Sequence, residues 1–233
     1  TRDWSLDVCS SDLRLPLIGD KAPEFRAITT EGKINFPEDF KGKWVMLFSH
    51  PADFTPVCTT EFMMLASMHK EFQEINTELI GLSIDSLSSH IAWLRRIEEL
   101  EWGPFSKGKV RFPLIADSSM KVAKLYGMLH PNAANTQTVR AVFIIDPEGT
   151  VRTIMYYPMS TGRNFKEIKR TIIALQKADK NHVSTPAEWQ DGDDVLVPTP
   201  LDMEQAQKRV SDNNGCDYAL DWFMAFRKND KLK

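Results

Sequence analysis

Cysteine is scarce in this chain, with three among 233 residues, at Cys9, Cys58 and Cys216. So few cannot staple a disulfide scaffold, and they fit a reducing compartment, so a cytoplasmic location is expected. Long apolar runs are missing as well: no stretch nears the roughly 20 residues that a bilayer-spanning helix needs. The N-terminus lacks the continuous apolar core of a secretory signal. There is no surplus of one charge, since 29 Lys and Arg stand against 32 Asp and Glu for a net −3. Neither nucleic acid nor an anionic membrane surface is therefore an expected partner. The histidines at 50, 69, 90, 130 and 182 form no ligand spacing with the cysteines, so no metal and no cofactor is expected. No Cys-x-x-Cys pair occurs, because Cys58 is followed by Thr59, Thr60 and Glu61, which excludes a thioredoxin-type disulfide reductase. A Gly-x-Ser-x-Gly elbow is likewise absent, and no internal repeat or low-complexity tract is visible.

What is present is enough chain for one large domain with a sizeable extension. Thr1 to Leu13 shows no periodicity; it reads as a non-native or disordered arm, which leaves Cys9 a poor candidate for chemistry. Trp44 to Phe48 and Glu78 to Asp85 read as buried strands. Ser88 or Ser89 is expected to cap a helix with Ile91, Leu94, Ile97 and Leu100 on its apolar side. Gly103-Pro104 and Lys107-Gly108-Lys109 mark a loop, Phe112 to Ala116 a short strand, and Asp117 or Ser118 the cap of a helix turning Val122, Leu125 and Tyr126 inward. Two β-rich runs, Thr138 to Ile145 and Thr150 to Tyr157, flank the turn residues Asp146-Pro147-Glu148-Gly149 and predict a hairpin. Asn164 caps a long helix bearing Phe165, Ile168, Ile172 and Leu175, ending near Asn181. Pro186 to Pro200 reads as linker and short strand, Leu201 to Val210 as a helix, and Leu220 to Phe226 as an aromatic-rich tail. Strands alternating with helices before a late hairpin predict an α/β fold with a central mixed sheet flanked by helices.

The most informative stretch is Ser49-His50-Pro51-Ala52-Asp53-Phe54-Thr55-Pro56-Val57-Cys58-Thr59-Thr60-Glu61. It follows the first buried strand, and beyond it apolar residues recur at Phe62, Leu65, Met68, Phe72 and Ile75, one face of a helix. Cys58 is thus predicted in the first helical turn, where unpaired N–H groups and the helix dipole favour a thiolate, the form that attacks electrophiles.

Pro51, Thr55 and Cys58 form the Pro-x-x-x-Thr-x-x-Cys pattern, which resembles the peroxiredoxins, and the surrounding run is similar to their one-cysteine, peroxiredoxin-6-like branch. Gly19 to Phe25 resembles the opening strand region of that family, and Arg140 precedes a strand as it does there. Tyr157 to Asn164 resembles the signature loop of the branch, and Thr185 to Asp194 the start of its C-terminal extension. The resemblance runs from about Leu15 to about Pro200 and weakens beyond. It implies a thioredoxin-like peroxidase domain over 14–181 and an extension over 182–233 that embraces a partner subunit, hence a homodimer that could assemble into higher rings.

The implied chemistry is reduction of hydrogen peroxide and organic hydroperoxides. The Cys58 thiolate would attack one peroxide oxygen and become a sulfenic acid, which a thiol reductant such as thioredoxin, glutathione or another small thiol then reduces. Thr55, able to donate and accept at once, would hold the peroxide, and Arg140 would supply fixed positive charge. A buried structural cysteine is the commoner fate of a lone thiol, and an ordinary salt bridge that of a lone arginine, but the motif favours catalysis for both. Pro51 would shield the cysteine, and His50 would either line the peroxide pocket or serve as a satisfied structural histidine. Glu61, one turn after Cys58, could position Arg140 or Arg163, the latter offering a second charge. Cys216 is a candidate resolving cysteine. Against these stands a peroxide sensor or chaperone-like holdase using the same thiol. Some animal relatives add phospholipase activity, but Phe36 to Trp44 has neither the serine nor the histidine for it.

Overall fold

The computed structural model describes residues 15–232 other than 104, 107 and 135. The expected arm with Cys9, and Pro104 and Lys107 of the expected loop, lie outside the described residues. Two compact units divide the chain between Arg163 and Asn164.

In the first unit the strands are β1 (Phe25–Thr29), β2 (Gly32–Phe36), β3 (Trp44–Ser49), β4 (Thr77–Ser83), the two-residue pair β5 (Glu101–Trp102) and β6 (Phe105–Ser106), β7 (Leu114–Ala116), β8 (Arg140–Ile145) and β9 (Val151–Tyr157). The helices are α1 (Pro56–Glu74), α2 (Leu87–Ile97) and the short α3 (Lys121–Leu125) and α4 (Pro131–Ala134). Seven strands make one mixed sheet in the order β2-β1-β7-β4-β3-β8-β9. Its centre is parallel, β3 on β4 and β4 on β7, while β8 runs antiparallel to β3 and to β9. The fully buried β3 is the residue-by-residue reason for the apolar run seen in sequence: a strand covered on both faces has no polar face to show.

Val45, Leu47, Ile80, Leu82, Ile115, Ala141 and Phe143 form one core face of the sheet, against Val122 and Ala123 of α3. On the opposite face Phe48 meets Phe62 of α1 and Phe112, each at 5.8 Å between ring centres. Gly81 makes that packing possible: a Cβ there would come within 2.9 Å of the Leu114 side chain and 3.2 Å of the Phe48 ring. The predicted hairpin forms as β8–β9, with Asp146 Oδ1 accepting from the N–H groups of Glu148 and Thr150.

The details of two helices differ from expectation. The cap of α2 is Ser86, whose hydroxyl accepts from the Ser89 N–H at 3.2 Å, so the helix starts before Ser88. Its buried side is His90, Trp93, Leu94 and Ile97, while Ile91 is exposed. The spacing of the aliphatics alone points to Ile91, whereas an imidazole and an indole take the inner positions. Before α3 the N-cap position is Met120, at φ 57°, rather than Asp117 or Ser118, while the Asp117 carboxyl accepts from the N–H groups of Lys121 and Ala123.

The second unit contains α5 (Phe165–Asn181), β10 (Val195–Leu196), α6 (Met203–Asp212), β11 (Tyr218–Asp221) and β12 (Met224–Arg227). Asn164 caps α5 as predicted, its Oδ1 accepting from Lys166 and Glu167. Strands pair in the order β10-β12-β11, so the aromatic-rich tail is a hairpin rather than a loose end. Ala174, Val183, Trp189 and Val195 form a small core, with the Trp189 indole donating to the Asp193 carbonyl at 3.0 Å. On α6, Met203, Ala206 and Val210 join Leu201 and Trp222 along an apolar groove of about 580 Å³. Among the described residues no helix is long and apolar enough to cross a membrane.

Candidate active site

The first turn of α1 holds Cys58, the candidate nucleophile. Thr55 stands at the N-cap in an extended conformation, φ −105° and ψ 146°, which suits the residue before a proline. Pro56 occupies the first helical position, where its missing N–H is no loss. Cys58 follows two residues later and is fully buried. The Thr55 side chain does not cap the helix. Its hydroxyl instead donates to the Ala52 carbonyl at 2.8 Å. With that proton committed, the Thr55 oxygen keeps lone pairs able to accept from an O–H group. Phe54, with φ +56° and exposed, and buried Pro51 complete the loop between β3 and α1.

Arg140, the first residue of β8, is aimed at the sulfur by its backbone surroundings. Its Nε and Nη2 both donate to the Met159 carbonyl, at 3.1 and 2.7 Å. That leaves Nη1 to bridge Cys58 Sγ at 3.3 Å and Glu61 Oε2 at 2.8 Å. Glu61 lies one helical turn beyond Cys58 and holds both arginines, not one of them. Its Oε1 accepts from the Arg163 backbone N–H and from Nε, each at 2.9 Å, and its Oε2 accepts from Arg163 Nη2 at 2.7 Å. Arg163 Nη1 donates to the Ser49 and Ala141 carbonyls at 2.9 and 3.1 Å, and its guanidinium lies 5.1 Å above the Phe48 ring. Burial opposes ionisation of Glu61, but the charge and hydrogen bonds of Arg163, and then Arg140, hold its carboxyl below the ordinary range. Two buried guanidinium groups against one carboxylate leave one positive charge in excess. That excess faces Cys58, whose Sγ is in contact with Arg140.

A second cluster adjoins this one. The His50 ring stacks on Trp93 of α2, 5.1 Å between centres, and meets Phe62 of α1 edge-on at 4.9 Å. The Trp93 indole donates to the Thr59 hydroxyl, one residue past Cys58. His50 Nε2 is 3.0 Å from Asp53 Oδ1, and His90 Nδ1 is 2.8 Å from Asp53 Oδ2. Burial holds the His50 ring below its ordinary titration range, against the opposing pull of Asp53. Asp53, although desolvation works the other way, is held well below the usual carboxylate range by hydrogen bonds from His50 and His90. Sequence reasoning assigns no role to Asp53, His90 or Trp93. Asp53 sits within the motif and could have been weighed there, while the other two lie on a helix whose aliphatic spacing runs through Ile91.

Cys216 belongs to the second unit, in the turn between α6 and β11, half-exposed, with Sγ directed at the Asn213 carbonyl at 3.3 Å.

Comparison with known proteins gives one consistent picture. The AhpC/TSA family matches residues 18–154, and the C-terminal domain of 1-Cys peroxiredoxin matches residues 174–213. A peroxiredoxin of Methanosarcina mazei is 60% identical over 216 residues, covering 92% of this chain and 99% of its own. One from Aquifex aeolicus is 48% identical over 224 residues, covering 92% and 97%. Among solved structures, a mutant of the peroxiredoxin 6 of Arenicola marina matches with a TM-score of 0.80 at 34% identity, covering 92% of this chain and 99% of that one. A yeast mitochondrial 1-Cys peroxiredoxin, described for its thiol resolving mechanism via glutathione and thioredoxin systems, matches with a TM-score of 0.79 at 40% identity, covering 92% and 100%.

Proposed function

This chain belongs to the AhpC/TSA family and is a thiol-dependent peroxidase, and from that premise we propose that Cys58 is its peroxidatic residue and that Thr55 and Arg140 bind and polarise the peroxide. The observation that carries the assignment is the single Arg140 nitrogen shared between Cys58 Sγ and Glu61 in the first turn of α1. The thiolate attacks the nearer peroxide oxygen, the S–O bond forms as the O–O bond breaks, and the departing oxygen takes a proton to leave as water or an alcohol. Cys58 is left as a sulfenic acid. Arg140 and the N–H groups of the first helical turn face the negative charge that develops, without having to reorganise for it. Glu61 acts through the arginines, holding both guanidinium groups by hydrogen bonds. Arg163 ties the end of β3 and the start of β8 to this cluster.

The sulfenic acid is reduced by an external thiol, thioredoxin or glutathione, with Cys216 as a bystander. The thiol systems named for the yeast relative support this, as does the match to the 1-Cys C-terminal domain. The protein acts as a homodimer in the cytoplasm. The exposed apolar groove along α6, Leu201 and Trp222 supports a partner copy, and the few cysteines fit a reducing compartment. Peroxide turnover by wild type and Cys216→Ser, each coupled to a thioredoxin and to a glutathione system, tests the reductant. Equal turnover by both proteins is expected; loss of thioredoxin-coupled turnover in Cys216→Ser would instead make Cys216 a resolving cysteine.

A further inference from the structure

The contacts around Asp53 and its ionisation together place the protons of the cluster. His90 Nε2 lies 3.1 Å from the Ile115 carbonyl, which can only accept, so Nε2 carries a proton. His90 Nδ1 contacts both oxygens of Asp53, at 3.0 and 2.8 Å, so one proton lies between them. Asp53 Oδ1 also faces His50 Nε2 at 3.0 Å. Asp53, held well below the usual carboxylate range, is a carboxylate that accepts from both rings, so His50 carries a proton on Nε2. Burial keeps the His50 ring neutral, so Nδ1 is a bare lone pair, and among the described residues it is the buried side-chain nitrogen or oxygen left without a partner. All three side chains are essentially inaccessible to water.

We propose that His90 is a positioning residue of the peroxidase site: acting through Asp53, it fixes the proton of His50 on Nε2 and keeps Nδ1 free as an acceptor for an O–H group. The proposal rests on the reading that His50 borders the peroxide site, next to the turn that carries Cys58. Its physical content is charge compensation. With the His90 proton present, the Asp53 carboxylate is neutralised from the α2 side and has no need of a second proton. Without it, the buried carboxylate faces His50 alone and stabilises the imidazolium, which would put a proton on Nδ1 as well. The other charged groups around the ring are Arg163, which opposes that protonation, and Asp85, whose Oδ2 accepts from the Asp53 backbone N–H at 3.0 Å and from the Ser83 hydroxyl at 2.7 Å. His50, Asp53 and Asp85 place their ligand atoms within 4.8 Å of one another, but these N–H and O–H donors account for the grouping without a cation.

His90→Gln is the discriminating variant. Its amide nitrogen can still donate to the Ile115 carbonyl, while the proton shared with Asp53 is lost. Long-range nitrogen–proton spectra of the full chain, labelled in histidine nitrogen, report the protonation of His50 directly. Wild type should show Nδ1 bare and Nε2 protonated at neutral pH. His90→Gln should show Nδ1 becoming protonated, and the acid limb of the rate of Cys58 oxidation by hydrogen peroxide should move to higher pH. The rate itself should fall about 10- to 100-fold, the scale seen when the outer partner of a metal-ligating imidazole is removed. Asp53→Asn, whose amide can donate to one imidazole and accept from the other, should give a mixed His50 tautomer if His90→Gln fails to fold. A purely structural His90 would lower stability and leave both tautomer and pH profile unmoved, and that result overturns the proposal. A tautomer that shifts as expected, with Cys58 oxidation unchanged in both His90→Gln and His50→Gln, would instead overturn the placement of His50 at the peroxide site.

Discussion

Glu61→Gln should be among the most damaging isosteric changes available to this chain. The carboxylate is 2% exposed and accepts from Arg140 Nη1 and from three nitrogens of Arg163, at 2.7 to 2.9 Å. Glutamine keeps the shape but replaces one oxygen by an NH₂ group. Whichever way the amide turns, that group faces guanidinium or backbone donors, so two former hydrogen bonds become donor-to-donor contacts. The greater loss is electrostatic: two buried guanidinium groups are left without the carboxylate that they share. Breaking a buried pair from one side costs about 3–5 kcal/mol. With a urea m-value of about 2 kcal/mol/M, the unfolding midpoint should fall by about 1.5–2.5 M. Urea titrations followed by near-UV circular dichroism measure this, and stopped-flow oxidation at low urea shows the loss of Arg140 aim separately. A drop of less than about 1 kcal/mol, the range of exposed pairs, would refute the reasoning.

Arg140→Leu should lower the rate of Cys58 oxidation about 100- to 1000-fold, the usual cost of one donor at a site of developing charge; Thr55→Val should also lower it, while Thr55→Ser retains most of the rate. A competition assay against a peroxide-reactive reporter checks both. Stability should fall on acidification in two stages. The folded His50 ring resists protonation below its ordinary 6.5 because it is buried, so the unfolded chain binds more protons there and stability is lost as pH drops through that value. Glu61, held below its ordinary 4.5, and Asp53, held below 3.8, add a second loss at lower pH. A urea midpoint that stays flat from about pH 8 to about pH 4 would contradict this. Ser86→Ala and Asn164→Ala should each cost about 1 kcal/mol through loss of a helix cap, measured by the same titration.

Much of this is legible in the sequence because it is local. The apolar run of β3, the 3–4 spacing of α1 and the turn residues between β8 and β9 are each written within a dozen neighbours. Cys58, Thr55 and Glu61 share one helical start, so their proximity follows from spacing. Arg140 and Arg163 are placed by resemblance; that a single carboxylate holds both depends on the β8 register and the 158–163 loop, which no local pattern encodes. The Asp53–His90 contact is invisible for a similar reason. It joins residues 37 apart through the packing of α2 on the sheet, and a buried histidine on a helix leaves no mark in an apolar period. The cap of α2 is ambiguous because three serines, at 86, 88 and 89, compete in sequence, and only the backbone geometry selects Ser86.

Peroxide reduction at Cys58 leaves a mark that can be weighed. Intact mass under non-reducing conditions, after one equivalent of hydrogen peroxide, tests it most directly in wild type, Cys58→Ser and Cys216→Ser. One oxygen atom should be gained at Cys58 in wild type and in Cys216→Ser, trapped by a sulfenic-acid reagent, and none in Cys58→Ser. Oxygen uptake that persists in Cys58→Ser, or an unmodified Cys58 in wild type, would contradict it.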